Sequence, residues 1–144
     1  MRIFKTPGRG PEPAQQALTS SLVTLESLIA RDGGTCVWCG RRPWADDLTA
    51  EHLLPRSRSG RGLAENLAVA CRTCNKQRRT KPVAAYIRAQ LEAGRRPRID
   101  LLTTALERLS ASPSRDHAAY GRRQLALMRR IGGEREPAAD RAAA

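Results

Sequence analysis

Cys36-Val37-Trp38-Cys39, then Leu48-Thr49-Ala50-Glu51-His52-Leu53-Leu54-Pro55, then Cys71-Arg72-Thr73-Cys74-Asn75: this succession decides the fold. Each cysteine pair leaves a gap of two residues, which lets both thiolates of a pair reach one tetrahedral ion. Two such knuckles therefore predict a single structural zinc, Zn2+, held by Cys36, Cys39, Cys71 and Cys74. A four-thiolate shell is coordinatively full, so it braces the chain and leaves no position open for a substrate. In small zinc modules that binding couples to folding at roughly 10 to 16 kcal/mol. Two unrelated or redox-active thiol pairs would be the other reading, and matched spacing speaks against it.

The residues between the knuckles pattern as strands. Leu48 to Leu54 is a short extended run closed by Pro55, which cannot donate to a sheet ladder. A basic, glycine-containing loop follows, Arg56-Ser57-Arg58-Ser59-Gly60-Arg61-Gly62, and a second apolar run, Leu67 to Ala70, can pair with the first as an antiparallel hairpin. The second knuckle then opens a polar, Arg-rich, helix-compatible stretch ending near Thr80.

A plain zinc ribbon would not need Glu51-His52, Pro55, Asn66-Leu67 and Cys74-Asn75 in this order. With the knuckles and the basic loop they form a pattern that resembles the HNH endonuclease family, over residues 36 to 81, about a third of the chain. The resemblance implies a ββα-metal fold, a hairpin packed on a helix, which agrees with the two strands and helix read from the residues. It implies that His52 is the general base that takes a proton from the attacking water. Histidine suits the task because its ordinary pKa, about 6.5, leaves a large neutral fraction near neutral pH.

The resemblance further implies that Glu51 and Asn75 hold a catalytic divalent cation. Their hard oxygen donors suit Mg2+ or Mn2+ and would not compete with thiolates for zinc. Asn66 matches the central Asn, whose amide ties down the loop and helps hold the histidine. Arg78 or Arg79, a turn beyond Asn75, is expected to grip a phosphate, and Arg56, Arg58 and Arg61 in the loop near His52 to meet the nucleic-acid backbone. The implied products are a 5′-phosphate and a 3′-hydroxyl.

Two positions depart from the family pattern. The first ligand is usually Asp or His and here is Glu51, one methylene longer; the usual Gly-Gly of the loop is Ser59-Gly60. One geometric difficulty also arises, because neighbours on an ideal strand face opposite sides while Glu51 and His52 must approach one site. A bulge or a strand end at His52 would resolve it.

Outward from this segment, residues 1–13, rich in Pro, Gly and Arg, read as a flexible arm. Helical spacing of Leu18, Leu22, Leu25, Leu28 and Ile29 predicts one amphipathic helix from Ala14 to Arg31, stopped by Asp32-Gly33-Gly34. Pro82 opens another helix, ended by Gly94. Asp100 can cap a third through about Leu109, and Ser114 a fourth to Ile131. The boundaries are thus a nuclease domain over 14–94 including its N-terminal helix, a helical extension over 95–133, and a disordered Ala-rich tail over 134–144.

The net charge is +12, from 26 Lys plus Arg against 14 Asp plus Glu. Residues 1 to 35 carry a net +1, residues 36 to 81 a net +6 and residues 82 to 144 a net +5, so the excess begins where the cysteines begin. Such a balance points to polyphosphate partners, with duplex DNA favoured because five aromatics are too few for a single-strand stacking platform. No apolar run reaches the roughly 20 residues of a membrane span, and the first residues lack a signal peptide's apolar stretch. A soluble, intracellular, cytoplasmic protein is expected; the oligomeric state is not legible.

His117 lies at a polar helix start and reads as solvent-facing, and Trp38 and Trp44 as caps on the small core. On the last helix Arg122, Arg123, Arg129 and Arg130 make a basic stripe, and Tyr120, Leu127, Met128 and Ile131 an apolar one. The expectation is an α+β protein: a small ββα-metal core with a four-cysteine zinc, one N-terminal helix and about three C-terminal helices. It would hydrolyse DNA phosphodiester bonds. The alternatives are an inactive zinc-braced DNA-binding module and a nuclease acting on RNA.

Overall fold

Between Thr24 and Gly33 the chain has what a helix needs at both ends. Thr24 Oγ1 accepts the Ser27 N–H at 3.1 Å, and Gly33 takes the left-handed conformation at φ +77° that closes the last turn. The result is α1, Leu25–Asp32, in a computed structural model that describes residues 23–133. The single helix expected from Ala14 to Arg31 is corrected here, because Thr24 is extended and starts a new helix at Leu25; residues 14–22, the arm over 1–13 and the tail over 134–144 lie outside the described residues.

Strand β1, Leu48–His52, pairs antiparallel with β2, Leu67–Cys71, in a register running from Leu48 opposite Cys71 to His52 opposite Leu67. Helix α2, Arg72–Arg78, follows β2 directly and completes a ββα unit. The first strand ends at His52, short of the expected Leu54. There the Leu53 N–H donates to the Asn66 carbonyl at 2.9 Å and the Leu54 N–H to Asn66 Oδ1 at 2.8 Å, so the chain turns away from the ladder. One side of the hairpin meets α1 through Leu28, Leu48, Leu67 and Val69. The far edge of β2 receives the first knuckle, with the Val37 N–H on the Val69 carbonyl at 2.8 Å.

Three further helices follow: α3, Val83–Glu92; α4, Ile99–Ser110; and α5, Arg115–Gly133. Pro82 stands at the N-cap of α3 and offers no side-chain cap. Two side chains of α5 do the work instead, Tyr120 Oη accepting the Val83 N–H at 3.2 Å and Gln124 Oε1 the Ala84 N–H at 2.8 Å. At α4 the capping residue is Arg98 rather than Asp100, whose carboxylate sits in the first turn and pairs with Arg98 at 2.6 Å.

Trp38, Ile87, Leu102, Leu106 and Met128 share one core, so the C-terminal helices pack on the same apolar centre as the first knuckle. Trp38 meets Tyr86 edge to face, at 5.0 Å and 82°. Three expectations are corrected by this packing. Trp44 is 87% exposed and caps nothing; Leu127 is 38% exposed and leaves the apolar stripe; His117 is fully buried rather than solvent-facing. The basic stripe of Arg122, Arg123, Arg129 and Arg130 does face outward.

Candidate functional site

The four cysteines come from three places: a turn over Cys36–Cys39 closed by the Gly40 N–H on the Cys36 carbonyl at 2.9 Å, the end of β2, and the first turn of α2. Their sulfurs all lie within 4.8 Å of one another, and the Cys39 and Cys71 sulfurs are 4.0 Å apart. Zn–S bonds of about 2.3 Å in a tetrahedron would set the sulfurs about 3.8 Å apart, so the cluster needs only a slight contraction around an ion. No disulfide joins them.

The Cys74 thiol donates to Cys36, which with backbone N–H groups holds Cys36 down at about 4 and pushes Cys74 up. Arg41 lies alongside, its Nη2 3.6 Å from the Cys71 sulfur, and these contacts strengthen its hold on its proton. A stable thiolate beside a fixed cation is the environment a zinc knuckle requires, and the four cysteines fit zinc in number, distance and charge.

Beyond the knuckles, β1 turns Thr49 and Glu51 toward α2. Asn75 Nδ2 donates to Thr49 Oγ1 at 2.8 Å, and one turn later the Arg78 guanidinium donates to Glu51 Oε1. Glu51 and Asn75 therefore line the same seam between strand and helix. Arg78 is fully buried: its Nη1 also donates to the His52 carbonyl, its Nη2 to the Leu53 carbonyl and its Nε to the Lys81 carbonyl at 2.9 Å. Its cation also sits 5.3 Å from the centre of the Trp38 ring.

Glu51 is only 2% exposed, and its Oε2 is buried with no hydrogen-bond partner. Burial pushes its carboxyl above the ordinary range, while the charge and hydrogen bond of Arg78 pull the other way. The orphaned oxygen, with the Asn75 amide on the same seam, is a donor set that fits a hard cation. Arg78 already occupies the second carboxylate oxygen and competes for the same negative charge.

His52 stands at the end of β1, half-buried, on the alternate side from Glu51 by strand period. The ladder has no bulge there. Burial first, then the positive charges of Arg56 and Arg78, lower its pKa, which favours the neutral, proton-accepting ring. Asn66 is fully buried and brackets the loop: besides accepting from Leu54 it donates to the Leu54 carbonyl at 3.1 Å and to the Arg61 carbonyl at 2.9 Å.

That loop carries one of the two departures from the family pattern, Ser59 before Gly60. Ser59 sits at φ +69°, a conformation that glycine adopts without strain. At Gly60 a Cβ would fall 1.7 Å from the Leu54 carbonyl oxygen, so no other residue fits.

Of the five arginines expected at the phosphate, Arg56, Arg58, Arg61 and Arg79 are exposed. Arg78 is not; its burial removes it from that role and makes it an internal tie. Arg79 projects from the end of α2 in a strained left-handed conformation, φ +57°. The sequence reading missed His117, whose Nε2 accepts the Arg61 N–H at 3.1 Å. No local spacing marks it, since the two partners are 56 residues apart.

Compared with known proteins, residues 36–91 match the HNH endonuclease family model. The match spans both knuckles, Glu51-His52, Asn66 and Asn75, and runs on through most of α3, so this segment carries the family's pattern. No curated protein matches the chain.

Proposed function

We propose that the protein is a metal-dependent endonuclease of the HNH type acting on DNA. The observation that carries this is the seam lined by Glu51 and Asn75 between β1 and α2, with His52, its pKa lowered by burial, ending the same strand and exposed arginines in the loop that follows. A Mg2+ or Mn2+ ion at Glu51 and Asn75 would polarise the phosphoryl oxygen and stabilise the departing 3′ oxygen. His52 takes the proton from water as it attacks phosphorus. Asn66 keeps the loop beside His52 in place, and Arg79 with Arg56, Arg58 and Arg61 hold the flanking phosphates. The thiolate-bound zinc takes no part in the chemistry and holds the hairpin against the helix.

The Glu51–Arg78 ion pair supports a second reading, a zinc-braced nucleic-acid-binding module without catalysis. A cation entering the seam must loosen a buried pair that already satisfies one carboxylate oxygen.

Supercoiled plasmid incubated with the protein and Mg2+, Mn2+ or no divalent cation separates the two. Nicking in wild type that is lost in His52→Ala, with zinc content and circular dichroism unchanged, supports the endonuclease. Plasmid retardation without nicking under every cation would leave only the binding module. Parallel digests of duplex DNA, single-stranded DNA and RNA rank the substrates.

A further inference from the structure

We infer that His117, on the C-terminal helix α5 and outside the segment that matches the family, is a positioning residue for His52. The inference rests on the endonuclease reading for its effect on rate, and on geometry alone for its structural half.

His117 is fully buried, and its ring makes one hydrogen bond: Nε2 accepts the Arg61 backbone N–H at 3.1 Å. The neutral ring then carries its proton on Nδ1, which is buried and finds no partner among the described residues. A side chain kept only for packing would be apolar at such a place, because an unpaired buried donor is costly. The acceptor offered to Arg61 is what an apolar residue could not supply.

Its partner is well chosen for control of the site. The Arg61 unit is held on both sides, its N–H by His117 and its carbonyl by Asn66 Nδ2 at 2.9 Å. The next residue, Gly62, comes up against His52, a Cβ there lying 3.8 Å from His52 Nε2. Anchoring the Arg61 unit therefore sets how the loop covers the imidazole of His52. Asn66 gives that anchor from the hairpin, and His117 gives it from a helix packed against the other end of the core.

Three variants of the full-length, zinc-loaded protein test this: His117→Phe, which keeps a ring and removes the acceptor; His117→Gln, whose amide oxygen can accept at the same place; and His117→Ala. Amide hydrogen exchange by NMR reads the anchor without any need for cleavage. Arg61 should lose about tenfold in protection in the Phe and Ala variants and keep most of it in Gln, with β2 amides unchanged. The nuclear Overhauser contact between the His52 ring and Gly62 should weaken in parallel.

In the nicking assay kcat should fall about ten- to hundredfold in the Phe variant, recover in Gln, and leave KM for DNA nearly unchanged. Equal Arg61 protection in wild type and His117→Phe, or full kcat in the Phe variant, would overturn the inference. If wild type cuts nothing with any cation, the endonuclease reading fails, and the exchange and Overhauser measurements alone decide whether His117 sets the loop.

Discussion

Arg78 and Arg79 are neighbours in sequence and opposites in circumstance. Arg78 closes a buried ion pair with Glu51 and binds the carbonyls of His52, Leu53 and Lys81, so it stitches the end of β1 to α2. Arg78→Met should cost about 3 to 5 kcal/mol in urea unfolding at pH 7, because it leaves the Glu51 charge buried and alone. Without the arginine, the carboxyl that burial already raises would rise further. An acid with a raised folded pKa gains stability relative to the unfolded chain as pH falls, so the penalty should shrink toward pH 4 to 5. Adding Glu51→Gln should restore most of the loss at pH 7. Arg79, exposed and at φ +57°, calls for the opposite experiment. Arg79→Gly should stabilise the fold by about 1 kcal/mol, since glycine accepts that conformation without strain, yet weaken nucleic-acid binding. A variant both more stable and equally tight in a DNA titration would mean that Arg79 does not touch phosphate.

At the scale of elements, an ion held by the four cysteines would tie the turn of the first knuckle to the junction of β2 and α2. Cys71 ends β2 and also caps α2, its sulfur accepting the Cys74 N–H at 3.4 Å, while Cys36 and Cys39 sit on a separate turn. Cys71→Ser should therefore lower zinc content and unfold the hairpin and first turn together. Folded, zinc-replete Cys71→Ser protein in circular dichroism and metal analysis would refute the assignment of the four thiolates to one ion. These elements were legible in the sequence because their signals are local. The C-x-x-C gaps, the apolar runs at Leu48 and Leu67, the stop at Gly33-Gly34 and the starts near Pro82 and Ser114 each lie within a few residues of what they determine. What escaped the sequence depends on partners far along the chain. The burial of Arg78 follows from Glu51, 27 residues away, and that of His117 from the Arg61 loop, 56 residues away. Trp44 is apolar and still exposed, which only the finished packing decides. Strand alternation sets Glu51 and His52 on opposite sides of β1, and the unbulged ladder keeps them there up to the strand's end at His52.

Among the described residues, two sets of exposed arginines border one groove. The loop after β1 carries the exposed arginines Arg56, Arg58 and Arg61, of which Arg56 acts on His52, and α5 contributes the outward row of Arg122, Arg123, Arg129 and Arg130. The two sets meet at a groove of about 480 Å³ with Arg58 and Arg123 on its wall and Leu54, Pro82, Tyr120 and Leu127 along it. A nucleic-acid backbone lying in this groove would meet Arg58 from the loop and Arg123 from α5 together. Each arginine that meets a phosphate releases counterions, so the slope of log affinity against log salt should fall by about 0.9 for each such contact removed. Measured on duplex DNA without divalent cation, Arg58→Ser and Arg123→Ser should each flatten the slope by about that amount, and by about 1.8 together. Because chemistry is silent under these conditions, the result holds whether or not the protein cuts. A slope unchanged in Arg123→Ser but flattened in Arg58→Ser would confine the interface to the ββα unit and leave the basic face of α5 to solvent.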